Sequence, residues 1–140
     1  MLRLQVLCFL LFLPWTSFSQ AGSLAVRIDG LTGGGAVHIL LFNSAKGFPD
    51  APQRAVKALS IPVSGTSVLA RMGTLPFGTY AVSIYHDRNE NGRLDRYPFG
   101  APKEPYGFSN NARAVFSAPP FSKAAFALNI SNEQINVRVR

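Results

Sequence analysis

The chain has 140 residues, 47 % of them hydrophobic, and sets 14 Lys+Arg against 7 Asp+Glu for a formal charge of +7. That length suits one small domain. Its single cysteine, Cys8, excludes a disulfide framework, and its basic residues are spread along the sequence instead of forming the patch a nucleic-acid reader uses.

Residues 1–21 read as a secretory signal. Met1-Leu2-Arg3 gives a short basic start, Leu4 to Leu13 is almost wholly apolar, and small residues follow at Ser17, Ser19 and Ala21. Cleavage is expected near Ser19 to Ala21. The apolar run is about half of the roughly 20 residues a spanning helix needs, so no transmembrane anchor is expected. Cys8 lies inside that run and would leave with it. The expected mature domain, residues 22–140, then has no thiol and, with Arg3 gone, an excess charge of +6. The expected location is the periplasm or the extracellular space. The basic excess reads as a solvated surface, or as loose attraction to an anionic envelope polymer or lipid head groups, and the expected partner is such a polymer or another envelope protein. No nucleic-acid partner is expected.

Beyond the signal the pattern is strand-like. Leu24 to Asp29 alternates, with Leu24, Val26 and Ile28 on one face. Glycines at 30 and 33–35 end it. Ala36 to Phe42 is a nearly continuous apolar run that suits a central strand, and Asn43 to Gln53, with Gly47, Pro49 and Pro52, reads as an exposed loop. Ala55 to Val63 contains Pro62 and belongs at a sheet edge. Thr66 to Met72 is the next strand. Leu75 to Tyr80 is a turn feeding a strand over Tyr80 to His86, whose core face carries Tyr80, Val82 and Ile84. Residues 97–112 are irregular. Strands are expected again at Arg113 to Ser117, Ala124 to Ile130 and Gln134 to Arg140. No segment has sustained helical periodicity. Seven to eight short strands with turns between them imply an all-β, antiparallel β-sandwich, transthyretin-like or immunoglobulin-like.

The stretch Asp87-Arg88-Asn89-Glu90-Asn91-Gly92-Arg93-Leu94-Asp95 carries the clearest chemistry. Side-chain oxygens recur at Asp87, Asn89, Asn91 and Asp95, Arg93 offers its backbone carbonyl, and Gly92 permits the sharp turn, as in a loop that wraps calcium. Two features depart from an EF-hand: the twelfth position is Pro98 instead of a bidentate glutamate, and no helices flank the loop. With two carboxylates among the ligands, affinity is expected to be weak, at about 10⁻⁴–10⁻³ M, unless Glu104 or Glu90 folds in. The competing reading is a metal-free loop of Asx-turns.

Residues 97–111 are rich in Pro, Gly and aromatics. They read either as a cap over the sandwich end or as a recognition surface for an envelope glycan or peptide, built from Tyr97, Phe99, Glu104, Tyr106, Phe108, Asn110 and Asn111. Ser109, Asn110 and Asn111 are alternatively extra oxygen donors to the ion. His38 and His86 with a carboxylate are the minimum for zinc, and nothing in the sequence places them together. His86 and Asp87 are strand neighbours that point to opposite faces, and no serine sits in a nucleophile elbow. No catalytic residue is expected, and the protein is not read as an enzyme.

The motif His86-Asp87-x-Asn89-x-Asn91-Gly92-x-Leu94-Asp95, followed by Phe99-Gly100-x-Pro102-x-Glu104-x-Tyr106-Gly107-Phe108-Ser109-Asn110-Asn111, resembles domain of unknown function 2141, a family of secreted bacterial proteins. Leu75-Pro76-x-Gly78-x-Tyr80 fits it too. Arg96-Tyr97 differs from the more polar, asparagine-bearing stretch expected there. The resemblance implies an exported small β domain and no particular activity. A shorter likeness, in Gly78-x-Tyr80 and the loop after it, is similar to transthyretin-like sandwiches and to calcium-bearing B-type repeats of surface adhesins.

Overall fold

The computed structural model describes residues 13–140, so the basic start and most of the apolar run of the expected signal lie outside the described residues. Residues 13–20 carry no regular secondary structure and expose Leu13, Trp15 and Phe18. Eight strands follow: β1 (Ala21–Asp29), β2 (Ala36–Phe42), β3 (Lys57–Pro62), β4 (Ser67–Pro76), β5 (Gly78–Asp87), β6 (Tyr106–Phe108), β7 (Phe126–Leu128) and β8 (Asn132–Arg138). One helical turn, α1 (Phe121–Ala124), precedes β7.

The strands form two sheets. One has the order β4-β1-β8, the other β3-β2-β5-β6, with β7 paired to the first residues of β5. Every pair is antiparallel except β1 with β8, which run parallel. A parallel pair needs a long crossover, and the chain between these two strands supplies it.

Alternation puts one row of each strand between the sheets. Leu24, Val26 and Ile28 meet Val37, Ile39 and Leu41, Ala70 and Met72, Tyr80, Val82 and Ile84, and Val137 in one buried cluster. The architecture is thus an all-β sandwich. The strands expected at Leu24–Asp29, Ala36–Phe42, Tyr80–His86 and Gln134–Arg140 lie where their apolar patterns placed them, and Pro62 sits on the edge strand β3.

The β1–β4 register slips between Leu24 and Ala25, which leaves Met72 without a partner. Such a bulge turns a carbonyl out of the ladder. Here Lys57 Nζ donates to the Met72 carbonyl at 2.6 Å. The lysine also places a charge at the open edge of β4, which discourages pairing with another chain.

Strand β6 bridges the sheets. The amide of Tyr106 donates to the Arg140 carbonyl and the amide of Arg140 to the Tyr106 carbonyl, both at 3.1 Å. The chains pass so closely that a Cβ on Gly107 would stand 2.8 Å from the Arg138 carbonyl oxygen.

Strand β5 is also covered on its outer face near its start. Ala81, Phe108 and Ala124 pack there with Phe48 and Phe121. Buried Ser109 pins this layer: its Oγ accepts from the Val82 amide at 2.9 Å and donates to the Ala124 carbonyl at 2.5 Å.

Four expectations change. The strand expected over Ala124 to Ile130 shortens to β7, because Ala124 closes the turn α1 and the chain bends after Asn129. Residues 113–117 are irregular, with bends at 115–117, and form no strand: no sheet edge receives them, and Val115 and Phe116 point into solvent. Residues 97–112, read as irregular throughout, contain β6 and a 3-10 turn over Ser109–Asn111. The turn expected at Leu75–Tyr80 shrinks to Phe77, the single residue between β4 and β5.

Candidate functional site

Strand β5 ends at Asp87, and its carboxylate organises the loop that follows. Its Oδ2 accepts the Gly92 amide at 2.8 Å and its Oδ1 the Asn91 amide at 3.2 Å. His38 Nε2, from β2, lies 3.0 Å from the same Oδ2. The register explains this contact: Ala36 is opposite Asp87 and His38 opposite Tyr85, so His38 is the diagonal neighbour. Burial works to raise the Asp87 pKa, but the hydrogen bonds from Gly92, His38 and Asn91 and the His38 charge outweigh it. The carboxyl sits below the ordinary carboxylate range.

Beyond Asp87 the loop turns on Asx contacts. The amide of Asn91 donates to Asn89 Oδ1 at 3.3 Å, and the amide of Arg93 to Asn91 Oδ1 at 3.1 Å. Both Asn side chains converge on Asp95: Asn89 Nδ2 reaches its Oδ2 at 2.6 Å, and Asn91 Nδ2 reaches the two oxygens at 2.8 and 3.0 Å. The hydrogen bonds from Asn91 and Asn89 lower the Asp95 pKa. Glu90 is exposed, with φ 56°. Asn89 and Asn91 thus meet at Asp95 through their amide nitrogens, while the Asp87 carboxylate is turned to His38 and the Asn91 and Gly92 amides.

Glu104 does fold in, though not as a side chain offered to a ligand. It is buried, and its two oxygens accept the amides of Arg88 at 2.9 Å and Asp95 at 3.1 Å, tying the two ends of the loop together. Gly35 (φ +69°) packs against the loop's start, where an added Cβ would stand 2.8 Å from Arg88 Cα. Among the described residues, no three His, Cys, Asp or Glu side chains cluster as a metal-binding group.

The two histidines do not meet at a common centre. His38 faces outward and stacks on Tyr85, with centroids 4.8 Å apart. His86 is fully buried on the inner face, with Nε2 2.8 Å from the Gly34 carbonyl oxygen and Nδ1 unpartnered among the described residues.

On the outer face of the five-stranded sheet lies a cleft of about 730 Å³. Its floor is Leu40, Ser83 and Tyr85, and one wall is Gly92, Arg93 and Leu94 from the Asx loop. Phe99 to Pro102 and residues 114–118 complete it, facing Pro49 and Pro52. Tyr85 ties floor to wall, donating its hydroxyl to the Gly92 carbonyl at 3.1 Å. Burial, then the charges of Asp87 and Glu104, raise its pKa. Phe99, Val115 and Phe116 are 79, 86 and 99 % exposed and concentrate apolar surface along the cleft.

Of the expected recognition surface, Phe99, Tyr106 and Phe108 line the cleft, and Tyr97 stacks on Phe99 at 5.2 Å without lining it. Asn110 and Asn111 are elsewhere. Asn110 Nδ2 donates to the carbonyls of Lys123 and Ala125, and Asn111 Oδ1 accepts the Arg138 amide. With Ser109 they join β5, α1 and β8, so none of the three supplies the loop with oxygens. Leu40, Tyr85, Arg96 and the 114–118 segment were not legible as site residues. Leu40 and Tyr85 alternate with core residues, which is the signal of an outer face, but the pattern does not say that the face is covered by a cleft.

Neither the curated proteins nor the solved structures give a match, so the shorter likeness to transthyretin-like sandwiches gains no support. The family model described as an uncharacterized protein conserved in bacteria matches residues 26–136, from the second half of β1 into β8, with the Asx loop and the whole cleft inside it. On that extent, the chain belongs to the domain of unknown function 2141 family.

Proposed function

We propose that this protein is an exported, non-catalytic binding module, in which the outer cleft takes an envelope ligand and the 87–95 loop takes calcium. The observation that carries the reading is that Gly92, Arg93 and Leu94 belong both to the loop and to the cleft wall. Ion and ligand then meet at one site. Export rests on the apolar leader and its small-residue end.

The donor set fits a hard cation. Asp87 and Asp95 supply two negative charges, and the Asn89 and Asn91 amides converge on Asp95. Their oxygens accept the Asn91 and Arg93 amides, so calcium would take them by displacing those Asx contacts, which its irregular oxygen coordination allows. Calcium would order the wall, while Asp87 and Glu104 hold the loop's ends through backbone amides with or without it.

Thermal unfolding in EDTA and in millimolar calcium tests this. Asp95→Ala is the cleaner variant, because Asp87 also carries hydrogen bonds the fold needs. A calcium-dependent rise in midpoint that Asp95→Ala removes is the expected result. An identical midpoint in both conditions would leave a loop held by hydrogen bonds alone and defeat the calcium reading.

A further inference from the structure

We infer that the cleft's ligand is a single-chain anionic amphiphile: an apolar chain or ring system ending in a carboxylate, sulfate or phosphate. This rests on the reading of the cleft as a binding site and goes further by naming what it selects.

The lining divides cleanly by chemistry. Leu40, Phe99, Val115 and Phe116 present apolar surface, and the last three are largely exposed until something covers them. A sugar would require hydroxyls and amides to orient it. The hydroxyls of the floor are already engaged as donors, Ser83 to the Pro49 carbonyl at 2.6 Å and Tyr85 to Gly92.

The charge is at the rim. Arg93 and Arg96 both line the cleft, against one acid, Asp50. Arg96 donates through Nη1 to the Gly100 carbonyl at 3.0 Å, which uses one of its five N–H donors and fixes the fork in place. Arg93 has Asp95 at 3.7 Å, a loose exposed pair. Arg113 lies over the ring of Tyr106, a further cleft residue, at 5.1 Å. A forked cation beside an apolar trough suits an anionic head on an apolar tail, because guanidinium matches carboxylate and phosphate oxygens in pairs. A cleft of about 730 Å³ is within the range of small-molecule sites, which favours a free molecule over a membrane surface.

The experiment is an amide chemical-shift titration of the ¹⁵N-labelled protein with four probes: octanesulfonate, octanol, octyltrimethylammonium and maltohexaose. Octanesulfonate is expected to shift Tyr85, Phe99 and Tyr106 and to bind about tenfold more tightly than octanol, the usual scale of one charge-assisted contact. Arg96→Gln and Arg93→Gln should each erode that preference, weakening octanesulfonate several-fold more than octanol. Phe116→Ala should weaken both octyl probes alike. If octanol, the ammonium or maltohexaose holds the cleft as tightly as the sulfonate, the amphiphile class is wrong and the cleft remains a binding site. If the cleft amides respond to none of the four, or every shift maps elsewhere, both readings fall.

Discussion

Asp87 and Asp95 look equivalent in sequence and do different work in the fold. Asp87 is buried and holds two loop amides and a histidine. Truncating it leaves those donors without their acceptor, so Asp87→Ala should cost about 3 kcal/mol in urea unfolding even in EDTA. Asp95 is half-buried and holds the Asn89 and Asn91 side-chain amides with a loose Arg93 pair, so Asp95→Ala should lower the EDTA midpoint by less than Asp87→Ala does. Equal losses in the two variants would contradict this division. Their pKa values, both lowered, set the pH dependence. A carboxyl with a lower pKa when folded binds fewer protons there than when unfolded, so its contribution is complete above the unfolded value of roughly 4 and is lost as pH falls through the folded one. Stability should hold from about pH 7 to 5 and drop below about pH 4, less steeply in Asp87→Ala. An equally steep acid drop in that variant would assign the effect to other groups.

At the scale of elements, two contacts between strands and loops decide the geometry. Gly35 leaves room for the backbone at Arg88 and adopts a left-handed φ. Gly35→Ala should therefore destabilise by about 1–3 kcal/mol, and hydrogen exchange should quicken first at the Asx loop. Lys57 supplies the donor for the bulged Met72 carbonyl. Lys57→Met should cost about 1 kcal/mol and increase aggregation through the open β4 edge, which light scattering would detect.

These elements also show what a sequence discloses. Strands β1, β5 and β8 were legible because apolar alternation records a core face directly, and β2 because a continuous apolar run marks a central strand. The loop was legible because each donor stands at a fixed spacing from a glycine. The 113–117 segment was misread because Ala114-Val115-Phe116 has strand composition but no edge to join. The role of Glu104 was hidden for a related reason. Its partners, Arg88 and Asp95, lie 16 and 9 residues away, and only the return of the chain after Tyr97 brings them together. The cleft depends on six separated segments at once, and no local pattern encodes that.

Across the whole molecule, the sandwich acts as a rigid support. The inner cluster fixes β2 and β5, whose outer face is the cleft floor, and β5 leads directly into the loop that forms a wall. A basic excess along the chain adds a long-range field that favours anionic ligands and weakens with salt. The account turns on the loop being both ion site and wall, and amide hydrogen exchange in EDTA and then in millimolar calcium tests that most directly. Calcium should slow exchange at Asn91, Gly92, Arg93 and Asp95 and, through the Tyr85 contact, at the cleft floor, with the sandwich core unchanged. Exchange in this loop that is indifferent to calcium would contradict it.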